Sequence, residues 1–164
     1  MALNVNLSAR SIADPKMVAL AKQAITEAGI DPALLILELT ETTAIANVEG
    51  AKAFAGRLRG LGCRFALDDF GAGFGSFYYI KSLPFDYLKI DGAFIRGLAT
   101  SAMDQLIVQA IVGIAKGLRK KTVAEFVADP ETLRLLREAG VDYAQGYQIG
   151  RPRPIAELLE RPPG

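Results

Sequence analysis

Six short apolar runs alternate along the chain with longer stretches of helical periodicity. The runs Leu3–Asn6, Leu34–Leu39, Arg64–Asp68, Tyr87–Ile90, Thr122–Glu125 and Tyr143–Gln145 are apolar on both faces, as strands of a buried parallel sheet are. Between them, Pro15–Ala28 follows Asp14 and closes at Gly29, which predicts a helix with an Asp N-cap, Pro at its first position and a Gly stop. Val48–Leu61 is a second helical pattern, ending between Gly60 and Gly62. A third, Ala102–Lys116, carries Leu106, Ile107, Ala110, Ile111 and Ile114 on one face. Asp129–Ala139 opens on Asp-Pro and stops at Gly140. The repeated order of strand and helix predicts an α/β fold with a parallel sheet, either open and doubly wound or part of a (β/α)₈ barrel. The proline-rich end allows at most a short helix at Ile155–Glu160.

Polar residues sit where these strands end. Asn6, Glu38, Asp68 with Asp69, Lys89, Glu125 and Gln145 fall at or near the C-terminal ends of the six strands in turn. In a parallel α/β sheet those ends share one edge, and ligands bind there. Any one of these residues alone reads as a cap, a turn or a surface ion-pair partner. All six strands having a polar end is not explained that way. Converging carboxylates repel one another and hold protons more tightly, and a single lysine is too little to neutralise them. A hard divalent cation does so, and carboxylates plus an amide oxygen are the donors that such ions prefer. Adjacent Asp68 and Asp69 allow one carboxylate to bridge two ions, the arrangement used for in-line displacement at phosphorus.

Composition narrows the chemistry further. The 164 residues are enough for one domain. With 51% hydrophobic residues they can bury a core. The chain has no histidine, which removes His-based triads and His-rich zinc sites. Its one cysteine, Cys63, has no histidine to activate it and reads as a small core residue. A net charge of +1 gives no footprint for DNA or an anionic membrane, and the run Arg119–Lys121 reads as a solvated patch at a helix end. No signal peptide or membrane-length apolar run is visible, so the expectation is a soluble, cytoplasmic chain making no membrane contact. The stretch Phe70–Ser76 has glycines without the dinucleotide fingerprint and is expected to be a mobile loop that closes over a substrate.

Six motifs in fixed order carry a resemblance. They are Asn-Leu-Ser at Asn6, Glu-Leu-Thr-Glu at Glu38–Glu41, Asp-Asp-Phe-Gly at Asp68, Lys-Ile-Asp-Gly at Lys89, Ala-Glu-Phe-Val at Ala124 and Gln-Gly-Tyr at Gln145. From Asn4 to about Pro154 the chain resembles the EAL domain, a family that hydrolyses cyclic-di-GMP to linear pGpG. The resemblance implies a TIM-like barrel, with residues 1–154 forming part of the phosphodiesterase domain and 155–164 a tail. It implies two divalent cations, Mg²⁺ or Mn²⁺, with Ca²⁺ inhibitory. Asn6, Glu38 and Asp68 would hold one ion, and Asp68, Asp69 and Glu125 the second. Lys89 would orient or help activate the attacking water, Glu125 would add general-base character, Gln145 would hydrogen-bond near the water or phosphate, and Glu41 would steady the loop after Asp69.

Two departures bear on these expectations. The family's Glu-Ala-Leu motif, which supplies a further metal-ligating Glu and a nearby substrate-contacting Arg, is not in this sequence, whose first strand corresponds to the family's third. The barrel is therefore expected to be open, with reduced turnover and with self-association, as a homodimer or swapped assembly, through its unpaired edges. Ala128 stands where the family commonly has Glu. The alternative function is a non-catalytic module that binds cyclic-di-GMP or contacts proteins.

Overall fold

The computed structural model describes residues 2–71 and 80–159, and for Leu158 and Leu159 the backbone alone. Strands β1 (Leu3–Leu7), β2 (Leu35–Thr40), β3 (Arg64–Phe70), β4 (Tyr87–Ile90), β5 (Lys121–Ala124) and β6 (Tyr143–Ala144) form one six-stranded sheet in the order β1-β2-β3-β4-β5-β6. Every pairing is parallel. A doubly wound sheet would reverse its strand order at a switch point. The unbroken sequential order instead gives a half-barrel of TIM type.

Strand alternation splits the sheet into two faces. Leu37, Leu39, Phe65, Leu67, Leu88 and Ile90 face outward into the core. Glu38, Arg64, Tyr87, Lys89, Val123 and Gln145 line the concave side. Helices α1 (Ala9–Ala13), α2 (Met17–Ala28), α3 (Glu41–Ala46), α4 (Val48–Gly60), α5 (Gly92–Arg96), α6 (Ala102–Gly117) and α7 (Pro130–Ala139) follow the strands, and α8 (Ile155–Leu159) comes last. Phe54 of α4, Val108 and Ile111 of α6 and Leu136 of α7 pack against the outer face and are essentially inaccessible.

Several local expectations shift. Asp14 is the C-cap of α1 and accepts a hydrogen bond from the Lys16 amide, while α2 begins at Met17 with no side-chain cap. The short helices α1 and α3 are too brief to show a period in sequence. The buried stripe of α6 is Val108, Ile111, Val112 and Ala115, whereas Leu106 is 61% exposed. A stretch apolar at nearly every position leaves the inward face weakly marked in sequence. Gly29 and Gly140 close their helices in the left-handed region, as read from sequence, and Asp129 caps α7 through the Thr132 amide. Cys63 is a free, buried core residue whose thiol is pushed up by burial. The loop reading for Phe70–Ser76 lies mostly outside the described residues.

The N-terminal edge of the sheet is clasped twice by the same device. Asp86, one residue before β4, accepts from the Phe65 amide of β3 at 2.9 Å and from Arg59 at 3.1 Å. Asp142, one residue before β6, accepts from the Thr122 amide and hydroxyl of β5 at 2.9 and 3.0 Å and from Lys121 at 2.7 Å. Each carboxylate ties the start of one strand to its neighbour, which fixes the register that aligns the opposite, C-terminal edge.

Candidate active site

Register brings the first pair together. Asn6 on β1 is the Cα partner of Glu38 on β2, so the two lie on the same face at the same height. Asn6 itself is exposed, whereas Glu38 is 3% exposed. Glu38 Oε2 lies 2.7 Å from Lys89 Nζ, and Glu38 Oε1 is buried with no hydrogen-bond partner among the described residues. An unsatisfied buried carboxylate oxygen is costly, so this orphaned oxygen is available as a hard donor.

Asp68 and Asp69 break strand alternation. In a regular strand neighbouring side chains point to opposite faces. Here the β3–β4 register shifts between Leu67 and Phe70, and Asp69 adopts φ +53. A bulge of this kind re-aims side chains, and it lets both carboxylates approach Glu125. One oxygen each from Asp68, Asp69 and Glu125 lies within 4.8 Å of the others. The amide of Asp69 donates to Asp68 Oδ1 at 3.0 Å, and the Gly71 amide donates to Glu41 Oε2 at 2.9 Å. Glu41 is buried and holds the backbone just after the Asp pair.

Lys89 is the hub. Its ammonium is 2.7 Å from Glu38, 2.8 Å from Glu125 and 3.0 Å from Asp68. Burial pulls its pKa down, but hydrogen bonds to Glu125 and Glu38 and the surrounding charges outweigh burial, so it is held well above the ordinary lysine value and stays charged. Glu125 sits just past β5, and its carboxyl is raised by burial despite the pull of Lys89. The Asp69 carboxyl, on an exposed residue, is also raised, first by partial desolvation and then by the like charges of Asp68 and Asp91. These residues hold an excess of negative charge that one lysine does not cancel.

Gln145 follows β6. Its amide donates to the Ala124 carbonyl, and its carbonyl accepts from the Val127 amide, which aligns it beside Glu125. With Glu38 and Lys89 it lines a concave-face cavity of about 570 Å³. Gly146 adopts φ +154, and a Cβ there would stand 2.3 Å from Val127 backbone atoms. Glycine is what permits this close approach.

The structure thus joins Glu38, Asp68, Asp69, Lys89 and Glu125 in one cluster, places Asn6 and Gln145 at its borders and ties Glu41 to the backbone after Asp69. Sequence reasoning missed the direct contact of Lys89 with three carboxylates, because adjacency across β2, β3, β4 and β5 is set by strand order. Phe126, directly after Glu125, adopts φ +56.

The sequence model of the EAL domain matches residues 1–152. The chain belongs to the EAL domain family. Cyclic di-GMP phosphodiesterase PdeB of Shewanella oneidensis is 42% identical over 159 residues, 97% of this chain and 19% of that protein. Cyclic di-GMP phosphodiesterase PdeA of Borreliella burgdorferi is 36% identical over 152 residues, 93% of this chain and 23% of that protein. The chain therefore spans about a fifth of the length of these curated relatives. Among solved structures, the PaMucR phosphodiesterase in complex with c-di-GMP matches with a TM-score of 0.90 at 37% identity, over 96% of this chain and 64% of that one. The EAL domain of Mycobacterium smegmatis DcpA matches with a TM-score of 0.92 at 29% identity, over 98% and 72%.

EAL phosphodiesterases are metal-dependent, and this chain carries an acidic cluster suited to a metal. The donors fit. Glu38 Oε1 is orphaned, Asp68, Asp69 and Glu125 are within shared reach, and all are hard oxygen ligands of the type that Mg²⁺ and Mn²⁺ take.

Proposed function

We propose that the chain carries the catalytic edge of a phosphodiesterase that hydrolyses cyclic-di-GMP to linear pGpG. The observation that supports this most is the Lys89 hub, which ties Glu38, Asp68 and Glu125 together beside Asp69 at the ligand-binding edge of an EAL half-barrel. Asn6, Glu38 and Asp68 would hold one divalent cation, and Asp68, Asp69 and Glu125 a second, Mg²⁺ or Mn²⁺, with Ca²⁺ inhibitory. Bound there, the two ions supply Lewis acidity to the phosphate and lower the pKa of a water.

The chain's own residues do the rest. Lys89, charged and tied to three carboxylates, directs a water toward the phosphorus. Glu125 holds its proton more tightly than an ordinary Glu, which suits it to accept one during attack. The Gln145 side chain hydrogen-bonds the water or a phosphate oxygen. Glu41 fixes the turn after Asp69 through the Gly71 amide. With a nucleotide second messenger as substrate, the expected setting of the activity is the cytoplasm.

Self-association is part of the same reading. Among the described residues, β1 and β6 each have a sheet neighbour on one side alone. Leu3, Val5 and Tyr143 on these strands are substantially exposed. Such edges pair readily with another chain.

Turnover of a nucleotide panel with Mn²⁺ tests the proposal. Release of pGpG from cyclic-di-GMP supports it. Turnover of a different phosphodiester with none of cyclic-di-GMP overturns it, and tight cyclic-di-GMP binding without turnover assigns the chain to a binding module instead.

A further inference from the structure

The concave face has two chemically different ends. Its C-terminal end carries the acidic cluster. At its N-terminal end the same cavity is lined by Asn4, Arg64, Tyr87 and Tyr143. Arg64 precedes Asp68 by four residues on β3, roughly 13 Å at about 3.3 Å per residue. In a closed barrel an interior layer is filled mainly by branched apolar side chains. Here it is built from hydrogen-bond donors and aromatic rings.

Register assembles this layer. Asn4 and Arg64 are both Cα partners of Ile36, so the three share one height across β1, β2 and β3. Ala66 is the partner of Tyr87, and Val123 the partner of Tyr143. These short neighbours leave room beside the rings and, with Ile36, make an apolar floor. The two tyrosine rings lie 6.1 Å apart and tilted by 60°, a geometry in which each steadies the other.

Arg64 is held in place but not neutralised. Its guanidinium donates to the Tyr87 hydroxyl at 2.7 Å. Among the described residues it makes no salt bridge; the carboxylate just before β4, Asp86, is taken by Arg59 and the Phe65 amide. A guanidinium has five N–H donors in a planar fork, so most of them remain to be used. The Tyr87 hydroxyl, having accepted from Arg64, still has its own proton to give. One positive charge matches a monoanion, and the planar fork matches a carboxylate. The apolar floor and the two rings match a flat apolar body attached to it.

We propose that the N-terminal end of the concave face binds a small aromatic monocarboxylate, with Arg64 taking the carboxylate and Tyr87 and Tyr143 flanking the ring. The site depends neither on the metal reading nor on the nucleotide reading above.

The test is calorimetric titration of the whole chain with phenylacetate, in the presence of a chelator. Phenylacetamide has the same shape without the charge, and acetyl-Phe-Glu-amide carries the carboxylate on a peptide. The expected result is binding of phenylacetate, with the amide about tenfold weaker and the peptide weaker also. Arg64→Gln is expected to weaken phenylacetate about tenfold at an unchanged melting temperature. Should Arg64→Gln not fold, Tyr87→Phe, which removes the hydroxyl alone, is expected to weaken it about fivefold. No binding of phenylacetate, equal binding of the amide, or an affinity unchanged in the variants overturns the site. Tighter binding of the peptide overturns its assignment to a free acid. With no metal or nucleotide present, none of these outcomes bears on the acidic cluster.

Discussion

Glu38 and Lys89 are 51 residues apart in sequence, yet Glu38 Oε2 lies 2.7 Å from Lys89 Nζ with both side chains about 5% exposed. They sit on β2 and β4, the two strands flanking β3, which supplies Asp68 to the same ammonium. The contact therefore exists because of strand order, and it makes Lys89 the internal counter-ion of the cluster.

Removing that counter-ion has a defined cost. Lys89→Met leaves Glu38, Asp68 and Glu125 buried without their cation. Breaking a buried ion pair from one side costs about 3–5 kcal/mol. Urea unfolding of the metal-free variant is expected to show a loss of that order, partly recovered on adding Mn²⁺ through the preferential binding to the folded state that the proposed function requires. An unchanged unfolding midpoint would mean that the cluster does not depend on Lys89.

Asp69 is expected to behave in the opposite sense. Its carboxyl is raised by partial desolvation and by Asp68 and Asp91, so the folded state holds that proton more tightly than the unfolded chain. Metal-free stability then falls as pH rises from the ordinary carboxylate value, about 3.9, through the raised one. Asp69→Asn removes this penalty. The variant is expected to be more stable than the wild type at pH 7 without metal, and to lose metal affinity and activity, a trade typical of functional sites. Paired denaturation and Mn²⁺ titrations check both halves.

Asp142 acts far from the cluster. Burial works against its ionised form, but Lys121 and the Thr122 amide and hydroxyl prevail and hold its carboxyl below the ordinary range. A depressed carboxyl stabilises the fold above its unfolded pKa, and that contribution is lost as pH falls through the folded one. Asp142→Ala leaves the Thr122 groups, on a residue 1% exposed, without an acceptor. A loss of about 1–3 kcal/mol at pH 7 is expected, shrinking on acidification. Denaturation at neutral and acid pH measures it.

Much of this was legible in the chain. The six strands were readable because each is a short apolar run, and Asn6, Glu38, Asp68, Lys89, Glu125 and Gln145 stood out because each interrupts such a run at the same end. The half-barrel followed from the order of the strands, which periodicity alone leaves undecided between open sheet and barrel. Three features had no local signal. The bulge that turns Asp69 beside Asp68 depends on pairing with β4. The lysine hub depends on four strands at once. The inward face of α6 is hidden because nearly every position from Leu106 to Ala115 is apolar.

The two free sheet edges predict association. Light scattering at micromolar concentration is expected to give a mass above that of the 17.6 kDa chain. Charged substitutions at Leu3 and Val5 are expected to lower that mass. A monodisperse wild-type monomer would show that the edges are protected in another way.

The most direct measurement is Mn²⁺-dependent conversion of cyclic-di-GMP to pGpG by the chain and by Glu38→Ala, followed chromatographically alongside binding of both Mn²⁺ and cyclic-di-GMP. The account predicts turnover by the wild type that disappears in the variant, because the orphaned Glu38 oxygen belongs to a metal site. Turnover that survives Glu38→Ala undiminished, or a wild type that takes up Mn²⁺ yet neither binds nor cleaves cyclic-di-GMP, would contradict it.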